Sequence, residues 1–360
     1  MLDTKRVDTS VSELLKGQSV LVGDTVWIPA ITAAVYPWIL DGFHWVVTPV
    51  ANGDSNPQIS TTSALLAALL LLAAFAVPLI NLLIASRPQP STPLTAAHTR
   101  TRRFALLAVT APTVYVLFGV LTYMAGSKIP DTWIWTPAWL LFGYWVSRAP
   151  ASASVTSHRY LPSGHLRVTH GVTGVIVAVY VLFHIFNHLF GLISPEAHGA
   201  VMDIGRKVYR AAAIEPLLVA AMLFQIATGL RLAWTWSEAS IDRYRVFQIA
   251  SGVFMSVFIL GHMNSVFVFA RSFLKIPTDW AFASGLPTGL IHDPWNIRLV
   301  PHYSLGVFLV LAHLCSGLRA VMLAHNVNRS TANRIWWVGT VLSALISTAI
   351  MCGMAGLRLL

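Results

Sequence analysis

The second half of the chain contains a duplicated segment that places a histidine at the same position in each copy. The first copy reads RVTHGVTGVIVAVYVLFHIFNH from Arg167, and the second reads RVFQIASGVFMSVFILGHMNSV from Arg245. In both copies a glycine follows the arginine by seven residues and a histidine follows it by seventeen, which gives His184 and His262. Ligating side chains inside a membrane span are costly and usually serve a function. Two of them at equivalent positions predict one shared site between two helices.

The composition indicates an integral membrane protein. Of the 360 residues, 56% are hydrophobic and only 11% are charged, whereas soluble domains carry about 25% charged residues. Long unbroken apolar runs are common, and the ten-residue alternation typical of membrane β-strands does not occur in the sequence. We therefore predict an all-α, polytopic membrane fold.

The apolar segments predict about nine transmembrane helices, because a bilayer core about 30 Å thick needs roughly 20 apolar residues per helix. The predicted spans lie near 24–50, 62–86, 104–124, 132–148, 167–193, 213–236, 246–271, 301–325 and 335–357.

The basic residues predict how the chain lies in the inner (cytoplasmic) membrane. They concentrate at the amino terminus and in alternate connections, which places the amino terminus in the cytoplasm and the carboxyl terminus outside. In one predicted outer connection, Arg206, Lys207 and Arg210 are offset by nearby acidic residues. The same rule explains the net charge of +10, so we expect no nucleic-acid partner.

The sequence also divides into regions. Residues 1–150 form an amino-terminal membrane region of about four spans whose function the sequence does not indicate, and residues 151–162 form a linker. Both copies of the repeat start on the same side of the membrane. The repeat is therefore parallel, and it predicts a four-helix bundle with an interior for a cofactor. Within a bundle at 163–360, the two copies and a final helix occupy 163–236, 244–325 and 335–357.

The matched histidines favour haem as the cofactor. Seventeen residues of helix span about 25 Å, so His184 and His262 lie at one level toward the outer leaflet, as two axial ligands of one iron require. Neutral imidazole is a usual haem ligand. Gly174 and Gly252 would let a flat macrocycle approach the backbone, although small residues also serve helix packing. The alternative interpretation is that these histidines only bond neighbouring helices.

The second helix of each copy has a shared ending, QIATGLR from Gln225 and HLCSGLR from His313. Gly317 faces the same groove as His313, and Arg319 approaches the cytoplasmic boundary, where it could pair with haem propionates. Because Gln225 is a poor haem ligand, a second haem at His313 and a hydrogen bond between His313 and Gln225 both remain open. His170 is a candidate contact for a quinone or a second haem, or an ordinary interfacial histidine.

His188 lies one helical turn beyond His184 and shares its face. Its counterpart in the second copy is Val266, so we expect His188 to support the site rather than to bind iron. The predicted iron ligands are therefore His184, His262 and His313.

The residue types that are missing narrow the function. No lysine falls inside a predicted span, which argues against a retinal Schiff base. Outside the proline-broken first span, the predicted spans contain no Asp or Glu except Glu215 at one end, which weakens a role in ion-coupled transport. No phosphate-binding glycine loop, CxxC cluster or nucleophile motif occurs. We expect an electron-transfer subunit or a redox-sensing module rather than a self-sufficient enzyme.

Residues 163–325 resemble the cytochrome b membrane anchors of succinate dehydrogenase and fumarate reductase, the respiratory complex II family. In single-chain members with two haems, the resemblance implies one haem toward the outer side, between His184 and His262. The other haem would lie between the second helices, where His313 faces Gln225. The matching motifs are the steps Thr173-Gly174 and Ser251-Gly252 and the pattern His-x-x-x-Gly-x-Arg at His313, Gly317 and Arg319, with a degenerate copy at Gln225, Gly229 and Arg231.

The chain departs from this family at three points. Gln225 stands in the place of a haem ligand, and Gly171 follows His170 where the family has a quinone-site arginine. Residues 1–150 precede the matching region and have no equivalent in the usual anchors.

The predicted function is that of a membrane-bound b-type cytochrome that carries electrons between the quinone pool and a partner or senses redox state. The expected cofactor is haem b, with quinone as a further candidate ligand. Besides the lipid bilayer, a soluble redox or signalling subunit on the cytoplasmic side is a candidate partner. The alternative is a haem-free membrane module for transport or complex assembly, whose histidines only pack helices.

Overall fold

The computed structural model describes residues 4–48, 60–87, 96–148, 163–239 and 241–359, with side chains from residue 25 onward. This part of the chain is all-α, as predicted, and contains no strand. A 3₁₀ turn follows α6 at Phe190–Leu192, and a π-helical segment continues α9 over Asn264–Leu274. The α-helices are α1 Thr4–Val47, α2 Thr61–Ala85, α3 Ala96–Ala108, α4 Ala111–Met124, α5 Asp131–Arg148, α6 Gly164–Leu189, α7 Pro195–Tyr209, α8 Ile214–Trp236, α9 Arg243–Met263, α10 Trp280–Ser284, α11 Gly289–His292, α12 Leu299–Ala324 and α13 Arg329–Met354.

Within the described ranges, seven helices are long and apolar enough to cross a membrane, namely α1 from residue 25, α2, α6, α8, α9, α12 and α13. The pair α3 and α4, bent by 61°, would make an eighth span. The prediction of nine spans is therefore not confirmed. The segment predicted at 132–148 does form α5, but its charged ends and four tryptophans lower its hydropathy. It packs along α1, where Trp135 Nε1 donates to the carbonyl of Ala33 at 2.7 Å.

Local signals in the sequence set where the helices begin. Ser163 caps α6 by accepting a hydrogen bond from the backbone nitrogen of Leu166 at 3.2 Å. Asp242 caps α9 by accepting one from the backbone nitrogen of Arg245 at 2.8 Å. Such caps satisfy backbone donors that have no partner within the helix. Pro112 in the first turn of α4 cannot continue the hydrogen bonding of α3. The single span predicted at 104–124 is therefore bent.

Helices α6, α8, α9 and α12 form a closed ring of four, in which each packs against the next. Consequently α6 faces α9 across one diagonal. We call the end where α6 and α9 begin the lower end and the opposite end the upper end. The two copies of the repeat pack alike, because Gln225 lies over Gly174 and His313 lies over Gly252. The Cε1 atom of His313 is 3.1 Å from the position that a Cβ on Gly252 would occupy. The predicted four-helix arrangement is thus present.

The amino-terminal helices pack directly on this bundle. Ile84 of α2 and Leu106 of α3 share one hydrophobic core with Phe254 of α9. At the lower end, the Arg102 guanidinium donates to backbone carbonyls after α8 at 2.8 and 3.2 Å. At the upper end, an ion pair between α5 and the start of α12 makes a second attachment. The predicted linker at 151–162 lies outside the described residues.

Candidate cofactor site

Each copy of the repeat brings one imidazole into the bundle toward its upper end. The ring centres of His184 on α6 and His262 on α9 are 5.9 Å apart, with their planes inclined at 67°. His184 stacks on Tyr180 with ring centres 5.7 Å apart, and His262 stacks on Phe258 at 5.9 Å. Tyr180 and Phe258 are themselves equivalent positions of the repeat. The predicted pair therefore meets in the structure, supported in the same way in each copy.

Three more histidines, His188, His198 and His302, surround this pair. The sequence predicted no role for His198 and His302. His188 lies 4.7 Å from His184 between ring centres, as expected from its helical spacing. His198 lies 5.1 Å from His188. His302 lies 4.6 Å from Phe258, on the ring that supports His262. The site is thus a cluster of five imidazoles, which we call the upper cluster.

His198 reaches the upper cluster because α7 folds back along α6. Gly205 leaves room for the ring of Phe183, which would collide with any larger side chain there. The sequence Ser-Pro-Glu at 194–196 marks the start of this helix, because Ser194 caps it and proline suits the first turn. That signal would have revealed α7, although it does not reveal the direction in which α7 runs.

A cavity of about 550 Å³ adjoins the upper cluster, and its walls include His188, His198, His262 and His302 together with Tyr303. His198 and His302 are each only 2% exposed. The Nδ1 atoms of His188, His198 and His302 are buried without a hydrogen-bond partner among the described residues. The volume lies within the range of roughly 300–1,000 Å³ typical of cofactor and ligand pockets.

The spacing of His184 and His262 fits two axial ligands of one haem. Two metal–nitrogen bonds of about 2 Å, and about 1 Å from each nitrogen to its ring centre, give roughly 6 Å between ring centres. The observed distance is 5.9 Å. The Nε2 atoms of His184 and His188 are 3.3 Å apart and hydrogen-bonded, so His184 would bind iron through Nε2 only after leaving His188. The residues present therefore fit a haem once the hydrogen bond between His184 and His188 is broken.

Toward the lower end, two further imidazoles are each oriented by a hydroxyl group. His170 Nδ1 lies 2.8 Å from Thr228 Oγ1, and His313 Nδ1 lies 2.9 Å from Ser251 Oγ. Both hydroxyls donate to backbone carbonyls of their own helices, so each accepts from the imidazole. This hydrogen-bond network assigns the proton of each ring to Nδ1 and leaves Nε2 as the nitrogen that can bind a metal.

Gln225 is held away from this role by the backbone of α6. Its Nε2 donates to the carbonyl of His170 at 2.9 Å, and its Oε1 lies beside Gly174. Gly317 has no heavy atom within 4 Å of where its Cβ would stand. The lower part of the bundle therefore presents His170 and His313 as its imidazoles, beside an open stretch of α12.

Arg319 lies beyond His313 in a pocket of about 210 Å³ that Arg245 also lines. Arg319 is 8% exposed, and its Nε donates to Asn333 Oδ1 at 2.8 Å. Its Nη2 is 3.9 Å from the carboxylate of Asp242. The two guanidiniums make the lower mouth of the bundle cationic, which suits a carboxylate or a phosphate group.

Comparison with family models, curated proteins and solved structures found no match to this chain. Within the ranges that the structure describes, no group of three or more His, Cys, Asp or Glu side chains is arranged to hold a bare metal ion. The likeness to the complex II anchors accordingly remains a hypothesis based on the motifs quoted above.

The buried imidazole of His198 predicts that acid destabilises the fold. Burial, followed by the guanidinium of Arg206, lowers the pKa of His198 from 6.5 to about 4. Between these values the unfolded chain binds a proton that the folded chain does not. The contribution of His198 to the free energy of unfolding is therefore complete above about pH 6.5 and falls by about 1.4 kcal/mol per pH unit toward pH 4. We expect His198→Gln to flatten this slope in unfolding experiments on detergent-solubilised protein.

The exposed His325 provides the control for this measurement. His325→Gln makes the same substitution at an exposed site and controls for replacing a histidine by glutamine. An identical slope in the wild type and in His198→Gln would contradict the assignment of a low pKa to His198.

Proposed function

We propose that this chain is a membrane-bound b-type cytochrome in which the two copies of the repeat hold haem b between His184 and His262. The observation that carries the proposal is the 5.9 Å separation of two imidazoles from diagonally opposite helices. Haem supplies one-electron redox chemistry when bound, and the protein supplies ligands, orientation and a low-dielectric surrounding.

The surrounding residues would fix the orientation of the two ligands. Tyr180 and Phe258 stack against the imidazoles and limit their rotation. His188 would be released from His184 and would then face the adjoining cavity, which it already lines. The helices that carry the two ligands are apolar along their length, which lowers the local dielectric and strengthens charge interactions at the site.

The lower pair extends the proposal to a second haem held by His170 and His313. The support is the shared arrangement in which a hydroxyl binds Nδ1 and leaves Nε2 free. Groups at two levels of the bundle would let electrons cross the membrane, between the quinone pool and a soluble redox or signalling partner. The arginines of the lower end are the surface that such a partner or the cytoplasmic leaflet would meet.

An optical spectrum of the purified protein tests this proposal. The protein is produced with a supply of haem precursor and purified in mild detergent, and haem is then quantified per chain. We expect the sharp reduced bands of a low-spin b-type cytochrome, with one haem per chain for the upper pair alone and two when the lower pair also binds. Colourless, folded protein would overturn the proposal.

The hydrogen bond between His184 and His188 favours a second candidate function, a haem-free membrane module for transport or complex assembly. In that case the Nε2 atoms of His184 and His188 share a hydrogen bond, and Nε2 of His198 accepts one from the amide of Asn187 at 3.2 Å. This candidate predicts that the purified protein carries no pigment. It also predicts that added haem leaves the thermal stability of the protein unchanged, whereas the cytochrome should be stabilised by its ligand.

A further inference from the structure

Three arginines gather beside the upper cluster. They are Arg206 on α7, Arg210 just after it, and Arg271 in the π-helical segment. The side chains of Arg206 and Arg271 are only 21% and 28% exposed. Cations that are largely removed from water near the membrane interior are costly and are usually paired or functional.

The charges of these arginines are only partly balanced. Glu215 pairs with Arg271 at 2.9 Å, but Asp203 is 3.7 Å from Arg206 and its side chain is 71% exposed. Arg206 and Arg210 instead donate to the neutral backbone and hydroxyl oxygens of Thr278, at 2.8 and 2.9 Å.

Arg206 and Arg210 also hold unused donors. The Nε atoms of both are buried without a hydrogen-bond partner among the described residues. Burial, and then the neighbouring guanidiniums of Arg206 and Arg271, lower the pKa of Arg210. The pair therefore has both spare positive charge and buried hydrogen-bond donors, which is the chemistry that binds carboxylates.

The two guanidiniums stand at the edge of the proposed haem site. Thr278, which they both contact, lines the cavity of the upper cluster. On α7, Arg206 continues the face of His198 and Met202, which line the same cavity. From the other side, Tyr180 connects His184 to Tyr209 through an edge-to-face contact at 5.4 Å.

We infer that Arg206 and Arg210 bind the propionate carboxylates of the haem whose iron is held by His184 and His262. This inference rests on the proposed function and adds an anchor at the upper end, distinct from Arg319 at the lower end. It gives a partner to the buried Nε donors of Arg206 and Arg210. The neighbouring Lys207 is exposed and takes no part.

The test compares the rate at which haem leaves each protein. Wild type, Arg206→Gln, Arg210→Gln and Lys207→Gln are purified with haem, and transfer of haem to excess apomyoglobin is followed optically. Each arginine variant loses charge-assisted hydrogen bonds, so we expect haem to leave roughly ten times faster or more. Lys207→Gln removes the same charge from the same helix and should stay within about twofold of wild type.

A second arm replaces the ligand instead of the protein. Haem dimethyl ester carries no ionised propionates and loses the contacts of both arginines, so it should leave wild-type protein at least as fast as haem leaves the Arg206→Gln variant. With the ester, wild type and Arg206→Gln should no longer differ. The wild-type half of this arm can overturn the assignment even where an arginine variant does not fold.

The outcomes separate the inference from the proposed function. A wild-type protein that binds no haem overturns both. A wild-type protein that binds haem, with Arg206→Gln and Arg210→Gln behaving like Lys207→Gln, overturns the propionate assignment and leaves the cytochrome standing. Equal retention of haem and its dimethyl ester by wild type overturns the assignment as well.

Discussion

Replacing His262 with alanine is expected to abolish haem binding at the upper pair, with haem content falling by about one equivalent per chain. The physical reason is that His262 is the single histidine of α9, and its ring centre lies 5.9 Å from that of His184 across the bundle. An iron left with one axial imidazole loses a bond and its low-spin spectrum. Haem quantification and the reduced spectrum of the purified variant measure the effect.

Two comparisons show whether the effect is specific to the ligand. His325→Ala changes an exposed histidine at the end of α12 and should keep the full haem content. His188→Ala should also keep it, whereas His184→Ala should lose it. If His188→Ala removes haem and His184→Ala does not, the ligand on α6 is His188 and our assignment is wrong.

Replacing Asp131 with asparagine is expected to destabilise the fold by about 3–5 kcal/mol, because it leaves a buried charge without its partner. Asp131 Oδ2 lies 2.8 Å from Arg298 Nη1, with side chains only 17% and 9% exposed. Thr122 donates to the other carboxylate oxygen at 2.8 Å. The guanidinium also lies over the ring of Tyr115, 4.4 Å from its centre. Denaturation of the protein in detergent micelles measures the loss.

Asp203 offers the matched control for this ion pair. Its carboxylate is 3.7 Å from Arg206 and its side chain is 71% exposed, so Asp203→Asn should cost at most about 1 kcal/mol. The double variant Asp131→Leu with Arg298→Met removes both buried charges and should recover much of the stability lost in Asp131→Asn. A cost in Asp131→Asn no greater than in Asp203→Asn would contradict the role of this pair.

The repeat was the part of the fold that the sequence predicted best. The equal spacing from arginine to glycine to histidine correctly paired His184 with His262 in space, because equal numbers of helical residues end at equal depth. The same equivalence extends to features that the spacing did not address, such as the stacking of Tyr180 and Phe258 on the two imidazoles.

Other features were missed because they depend on contacts between distant parts of the chain. The ion pair of Asp131 and Arg298 joins residues 167 positions apart, and no local pattern connects them. The span predicted at 132–148 is not confirmed, because the four tryptophans of α5 count as apolar bulk in a run of residues but lower the mean hydropathy of the helix.

The amino-acid sequence by itself determined that this chain is a helical membrane protein with two matched histidines, since a backbone in lipid must satisfy its hydrogen bonds internally and long apolar runs can do so only as helices. Only the tertiary structure decided which further groups join those histidines. His198 and His302 enter the upper cluster, and Arg206 reaches its edge, because α7 turns back along α6 and α12 completes the ring. That outcome depends on close packing, such as Phe183 against Gly205, and the periodicity of a helix does not tell which residues of two helices meet.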